Sequence, residues 1–131
     1  MTNKLKGYFE NTQGWGVLST ADEEGKVDAA IYARPHCMDD GTVAFIMSDR
    51  RTHHNLQSNP HAAYLFKEVG EKYVGKRLYL TKVREEEDQE KIQQLMEQRH
   101  YSYPKEYEAK VRYLVTFKID KELPLIGAGE E

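Results

Sequence analysis

Cysteine is nearly absent from this chain. Cys37 is the only one, so no intramolecular disulfide can form and no Cys-x-x-Cys array is available for a metal or redox centre. Long apolar runs are missing too. No stretch approaches the roughly 20 residues that span a bilayer as a helix, and residues 1–7, Met-Thr-Asn-Lys-Leu-Lys-Gly, lack the apolar segment of a secretory signal. The expectation is a soluble, cytoplasmic protein with no membrane partner. An excess of one charge is also lacking: Lys+Arg number 19 against Asp+Glu 22, a net charge of -3. Nucleic-acid binders usually present a basic face to the phosphates, so this balance excludes nucleic acid as the expected partner.

What is present is a series of short apolar segments punctuated by turns. At 131 residues the chain has the size of one domain, and it can bury roughly two-thirds of its unfolded surface without covalent staples. Residues 5–11 predict a short helix, with Leu5, Tyr8 and Phe9 at helical spacing. Residues 17–21, 27–33 and 42–47 predict strands, separated by the turn chemistry of Asp22-Glu23-Glu24-Gly25 and Asp39-Asp40-Gly41. Tight turns between them predict an antiparallel meander. A helix of about two turns over 48–58 stops before Pro60, as helices do. Strands over 62–66 and 77–83 follow, joined by the glycine-containing loop 69–76. Residues 85–99 predict the longest helix, with Ile92, Leu95 and Met96 on one face and an acidic first turn that reads as a solvated start. The aromatic stretch 101–107 reads as a packed loop or a seam between subunits, and 111–119 is the last strand. The predicted fold is mainly β with short helices: a six-stranded antiparallel split β-barrel of Greek-key type, forming one domain over residues 1–131. Closure of this kind removes exposed sheet edges.

The segment with the most chemistry is Ser48-Asp49-Arg50-Arg51-Thr52-His53-His54-Asn55-Leu56. It follows the most apolar strand and opens a helix, whose unpaired N–H groups and partial positive charge suit an anion. Arg50 and Arg51 add charge-assisted donors and Thr52 a hydroxyl. This set suits a phosphate monoester. It equally suits a solvated helix start, with Asp49 neutralising one arginine.

The order of pieces then resembles a known family. Val27-Asp28-Ala29-Ala30-Ile31-Tyr32-Ala33-Arg34, then 41–47, then the basic turn, then Asn59-Pro60 and the strand after it, is similar to the pyridoxamine 5′-phosphate oxidase-like superfamily of flavin mononucleotide (FMN)-binding split barrels. The resemblance spans roughly residues 16–83. It implies FMN as cofactor, with Arg51 on the phosphate, Thr52 where the family often has lysine, and Arg50 and Asn55 completing that end. It places Ala30, Ile31, Tyr32, Ala33 and Arg34 along the isoalloxazine ring and Ile46 and Met47 beside the ribityl chain. It also implies a homodimer with the flavin at the interface, the 78–81 strand and C-terminal segment reaching the second subunit. The small side chains of Ala29, Ala30 and Ala33 allow close approach of a ring, although ordinary sheet packing accounts for them equally.

The implied function is an FMN-dependent oxidoreductase acting on a small molecule or a redox partner. The chain ends Leu123-Pro124-Leu125-Ile126-Gly127 and four further residues, without the arginine and histidine that family members oxidising pyridoxamine phosphate carry there. Vitamin B6 oxidation is therefore not expected. The alternative is a non-catalytic flavin- or haem-binding electron-transfer protein. No metal site is expected, since adjacent His53 and His54 point about 100° apart on a helix. Cys37 lacks an activating base, and no serine has a recognisable His/Asp pair. Trp15 either caps the cofactor cleft or packs in the core, with core packing the simpler reading.

Overall fold

The computed structural model describes residues 2–99 and 111–127. Its elements run α1 (Thr2–Asn11), β1 (Gly14–Ala21), β2 (Val27–Tyr32), β3 (His36–Cys37), β4 (Val43–Ser48), α2 (Arg51–Ser58), β5 (His61–Glu68), β6 (Gly75–Glu86), α3 (Gln89–Arg99) and β7 (Arg112–Pro124). The strands form one curled antiparallel sheet in the order β2-β1-β5-β6-β7-β4-β3. This is the mainly β split barrel that the sequence predicts. The strand beyond the expected six is β3, only two residues long.

Two hairpins follow from local turn chemistry. In the β1–β2 turn, the Asp22 carboxylate accepts from the backbone N–H groups of Glu24 and Lys26, both at 2.9 Å. Gly25 adopts φ 86°, a left-handed conformation that side chains resist. The β5–β6 hairpin closes across residues 69–74. The expected meander, however, stops after β2. Its third strand, β4, pairs with β7 instead, Phe45 opposite Val115 and Met47 opposite Tyr113. The reason is the apolar pattern of β4. Val43, Phe45 and Met47 on one face and Ala44 on the other are all buried, so β4 is sandwiched and cannot be an edge partner of half-exposed β2.

The first face looks into the barrel core, where Phe9, Phe45, Tyr64, Phe66 and Phe117 pack together, Phe9–Phe66 and Phe45–Phe117 edge-on, with Leu18, Leu78 and Val115. The opposite face of β4 and β7 carries Ala44, Ile46 and Leu114, and α3 covers it with Ile92, Leu95 and Met96. Helix α1 closes one end of the barrel through Leu5 and Phe9, an i, i+4 pair. Its C-terminal carbonyls are capped by a cation, Arg34 Nη1 donating to Phe9 O at 2.8 Å and Thr12 O at 3.0 Å.

The helix expected over 85–99 begins at Gln89, because β6 runs on to Glu86. Glu85 is correspondingly not part of a solvated helix start. It accepts from His53 Nε2 at 2.9 Å, Lys82 Nζ at 2.9 Å and Gln57 Nε2 at 3.1 Å. The aromatic stretch 101–107 lies outside the described residues. Among the described residues, no helix is long and apolar enough to cross a membrane.

Candidate functional site

The barrel is split between its two edges, and a cavity of about 800 Å³ lies in that gap. The volume is within the range of small-molecule sites, roughly 300–1,000 Å³. One wall is the run Ala30, Ile31, Tyr32, Ala33, Arg34 and the other is Phe45, Ile46, Met47, Ser48. A strand that shows a cavity one face contributes alternate residues. Consecutive residues mean that the backbone edge itself lines the space.

Both edges are free for this role. Strand β2 is the last in the sheet. Strand β3 pairs only with Val43 and Ala44, so beyond Ala44 the outer edge of β4 has no strand beside it. Apart from the Tyr32 and Arg34 carbonyls, which accept from the Tyr64 hydroxyl and from Arg99, the outward backbone groups of two facing strand edges suit the polar rim of a flat heterocycle. Gly14 and Trp15 complete the apolar end, and Met96 reaches in from α3. Trp15 is 49% exposed, so it is a cavity wall and not a core residue.

The other end is cationic. Helix α2 opens there from an extended Arg50 (φ -127°, ψ -165°) with no side-chain cap and no acidic residue in its first turn. Its leading N–H groups are thus unsatisfied by the chain. Arg50, Arg51, Thr52 and Arg112 line this end. Thr52 is 97% buried, being 3% exposed, and its hydroxyl has no hydrogen-bond partner among the described residues. Asp49 does not neutralise either arginine. Its carboxylate takes Nδ1 of His53 at 3.0 Å. Arg51 is near enough to Asp22 to help lower that carboxyl, after the backbone N–H of Lys26, but makes no ion pair within 4.0 Å. Among the described lining residues, none is Asp or Glu.

Of the residues assigned from sequence, ten meet in this one cavity: Ala30, Ile31, Tyr32, Ala33, Arg34, Ile46, Met47, Arg50, Arg51 and Thr52. Asn55 does not. It lies one turn further along α2, 1% exposed, and its Nδ2 donates to Thr20 Oγ1 of β1 at 3.0 Å. Its helical phase turns it into the core. Gly14, Trp15, His36, Phe45, Ser48, Met96 and Arg112 line the cavity without having been assigned. For Arg112 the one available signal was its place at the start of an apolar strand.

Titration behaviour follows burial. Desolvation, with the charge of Arg99, holds His36 down at about 4, so it is neutral at physiological pH. Burial pushes the Cys37 thiol up to about 11, which leaves it inert as a nucleophile. Burial also opposes ionisation of Glu85, but hydrogen bonds from Lys82, His53 and Gln57 outweigh it and hold the carboxyl at about 2. His53 is stacked on Tyr113, with ring centroids 3.9 Å apart, and is buried while His54 is exposed. Among the described residues, no group of three or more His, Cys, Asp or Glu is placed to hold a metal ion.

The open-edged split barrel with a cavity at the split defines a fold class, and comparison with known proteins specifies it. The chain belongs to the pyridoxamine 5′-phosphate oxidase family, whose model matches residues 2–122. Its fold is similar to that of an FMN-binding protein from Syntrophomonas wolfei, with 19% identity, 96% of this chain and 86% of that one covered, and a TM-score of 0.76. It is also similar to HupZ of Group A Streptococcus, with 18% identity, 98% and 96% covered, and a TM-score of 0.67. An F420 reductase matches at 16% identity, 83% and 88% covered, with a TM-score of 0.63. No curated protein matches the sequence.

Proposed function

We propose that this protein binds FMN in the cavity at the split and uses it as an oxidoreductase of small molecules or of a redox partner. The observation that carries the reading is the polarity of the cavity. One end offers strand edges, small side chains and Trp15 to a flat ring. The other offers an uncapped helix N-terminus, arginines and the unpartnered hydroxyl of Thr52 to a phosphate. Family membership and the FMN-binding protein among the structural relatives support the same assignment.

When bound, the flavin supplies the hydride or electron chemistry. The chain's own residues bind and orient it. Arg51 and Thr52 take the phosphate, the β2 and β4 edges take the ring and ribityl chain, and Ile31, Trp15 and Phe45 exclude water. His36, held neutral, is the one ordinary acid–base side chain among the described lining residues besides Tyr32. The site thus lacks an ionised acid–base pair, which suits chemistry carried by the cofactor. A flavin carrier without turnover meets the same description. The two separate on whether reduced protein passes electrons to an acceptor faster than free flavin does.

The second subunit belongs to this proposal. The outer face of β2, β1 and β5 carries a cross-strand apolar row, Ile31–Val17–Leu65, with Ala29–Ser19–Ala63–Tyr79 beside it. Ile31 is 70% exposed. A patch of this kind is what isologous dimers cover. It borders the cavity through Ile31 and Trp15, so a second copy seated there closes the open side.

The test is an FMN titration of wild type and Arg51→Ala. Loss of one charge-assisted phosphate contact predicts about tenfold weaker binding or more. Equal affinities would remove the phosphate assignment.

A further inference from the structure

The cationic end of the cavity holds more charge than a helix N-terminus and one arginine, and its third guanidinium comes from a distant part of the chain. Arg112 stands opposite Ser48 in the β4–β7 ladder, two residues before Arg50 begins the turn into α2. It therefore reaches the cavity beside Arg50 and Arg51. None of these three side chains makes an ion pair or hydrogen bond among the described residues, in a chain with 22 acidic residues.

Arg112 is also held in place. The β6–β7 ladder ends at Glu86 opposite Leu114, so no β6 residue faces Arg112. The side-chain amide of Gln89, at the start of α3, substitutes for the missing strand. Its Nε2 donates to the Arg112 carbonyl at 2.9 Å and its Oε1 accepts the Arg112 N–H at 3.2 Å. Both backbone groups of one residue are thus clamped by one amide, which fixes the base of the arginine at the cavity.

We propose that Arg112 is a specificity-determining residue that makes the site select a terminal phosphate monoester, with Gln89 as its positioning residue. This rests on the FMN reading above. A monoester presents three free oxygens and a charge of about -1.5 to -2 at pH 7. Three arginines, a helix N-terminus and Thr52 match that number of oxygens and that charge. The diphosphate of FAD also carries about two negative charges, but it spreads them over two phosphorus atoms, each bonded on both sides, so no terminal group presents three free oxygens to the cluster. The site therefore favours FMN over riboflavin, which has no phosphate, and over FAD, whose phosphates are internal to a diphosphate.

The test is a set of equilibrium titrations of the full chain with FMN, riboflavin and FAD, for wild type, Arg51→Ala, Arg112→Gln and Gln89→Ala. Arg112→Gln is expected to lose about tenfold in FMN affinity with riboflavin affinity unchanged, which also shows that the variant folds. Gln89→Ala should move in the same direction by less. Wild-type affinity for FMN should rise as pH passes about 6, where the phosphate loses its second proton, and the rise should flatten in Arg112→Gln. The proposal fails if FAD binds wild type as tightly as FMN. It fails equally if Arg112→Gln weakens FMN and riboflavin alike, or if it leaves FMN unchanged while Arg51→Ala weakens it. If neither arginine variant alters FMN binding, the phosphate cradle itself falls.

Discussion

Replacing Gly16 with alanine puts a methyl group where the structure has no room. Gly16 is on β1 between Tyr32 and Phe66, and the ring of Tyr64 lies across it. A Cβ there would collide with the Tyr64 hydroxyl and ring carbon Cζ, and would meet Cε1 at 2.6 Å. Tyr64 has little freedom to yield. It is fully buried, packs on Phe45 at 4.9 Å between centroids, and donates its hydroxyl to the Tyr32 carbonyl at 3.1 Å. Overpacking of a core costs about 1–3 kcal/mol, and losing the buried hydrogen bond adds about 1 kcal/mol. The expected destabilisation is roughly 2–4 kcal/mol, a large part of a typical total of about 5–15 kcal/mol. Urea unfolding followed by circular dichroism reads it as a midpoint lowered by about 1–2 M. On a Tyr64→Leu background the same substitution should cost far less, a coupling that a double-mutant cycle isolates. A cost below about 0.5 kcal/mol in wild type, or equal costs in both backgrounds, would refute the steric argument.

Four other outcomes follow. Stability should fall as pH drops from about 6.5 to about 4, because the unfolded chain protonates His36 at the first value and the folded chain only at the second; His36→Gln should flatten that part of the curve. A further loss is expected between about 4.5 and about 2 as Glu85 is forced to protonate, since its depressed folded-state value stabilises the fold only above that window. Leu65→Asp places a charge in the exposed apolar row of the sheet and should convert a dimer to monomers in sedimentation velocity; a wild-type monomer would contradict the proposed assembly. Glu85→Ala leaves buried His53 and half-buried Lys82 without their shared carboxylate and should destabilise by about 2–4 kcal/mol, measured by the same urea titration.

Much of the fold was legible because its signals are local. The aspartate and glycine of the 22–25 turn define the first hairpin, Asn59-Pro60 ends α2, and the glycines of 69–76 join β5 to β6. What was not legible depends on distance. That β4 pairs with β7 and not with β2 is decided by burial on both its faces, and β7 begins more than 60 residues later. Glu85 read as the start of a helix because its partners, His53 and Gln57, lie on another element. The candidate site shows the same division. The basic turn and the alanine-rich strand belong to contiguous segments, and their residues meet in the one cavity. Arg112 reaches the cavity only through strand pairing, which its place in the sequence does not show, and Asn55 faces the core because helical phase, not nearness in sequence, decides what it faces.

Trp15 offers the most direct measurement of the central claim. It is the only tryptophan in the chain and it lines the cavity, so its emission responds to what binds there. Titration of the protein with FMN should quench Trp15 fluorescence saturably, with one flavin bound per chain and with the quenching curve displaced to higher concentration in Arg51→Ala. Flavin that binds without altering Trp15 emission, or no binding at all, would contradict the assignment of this cavity as the FMN site.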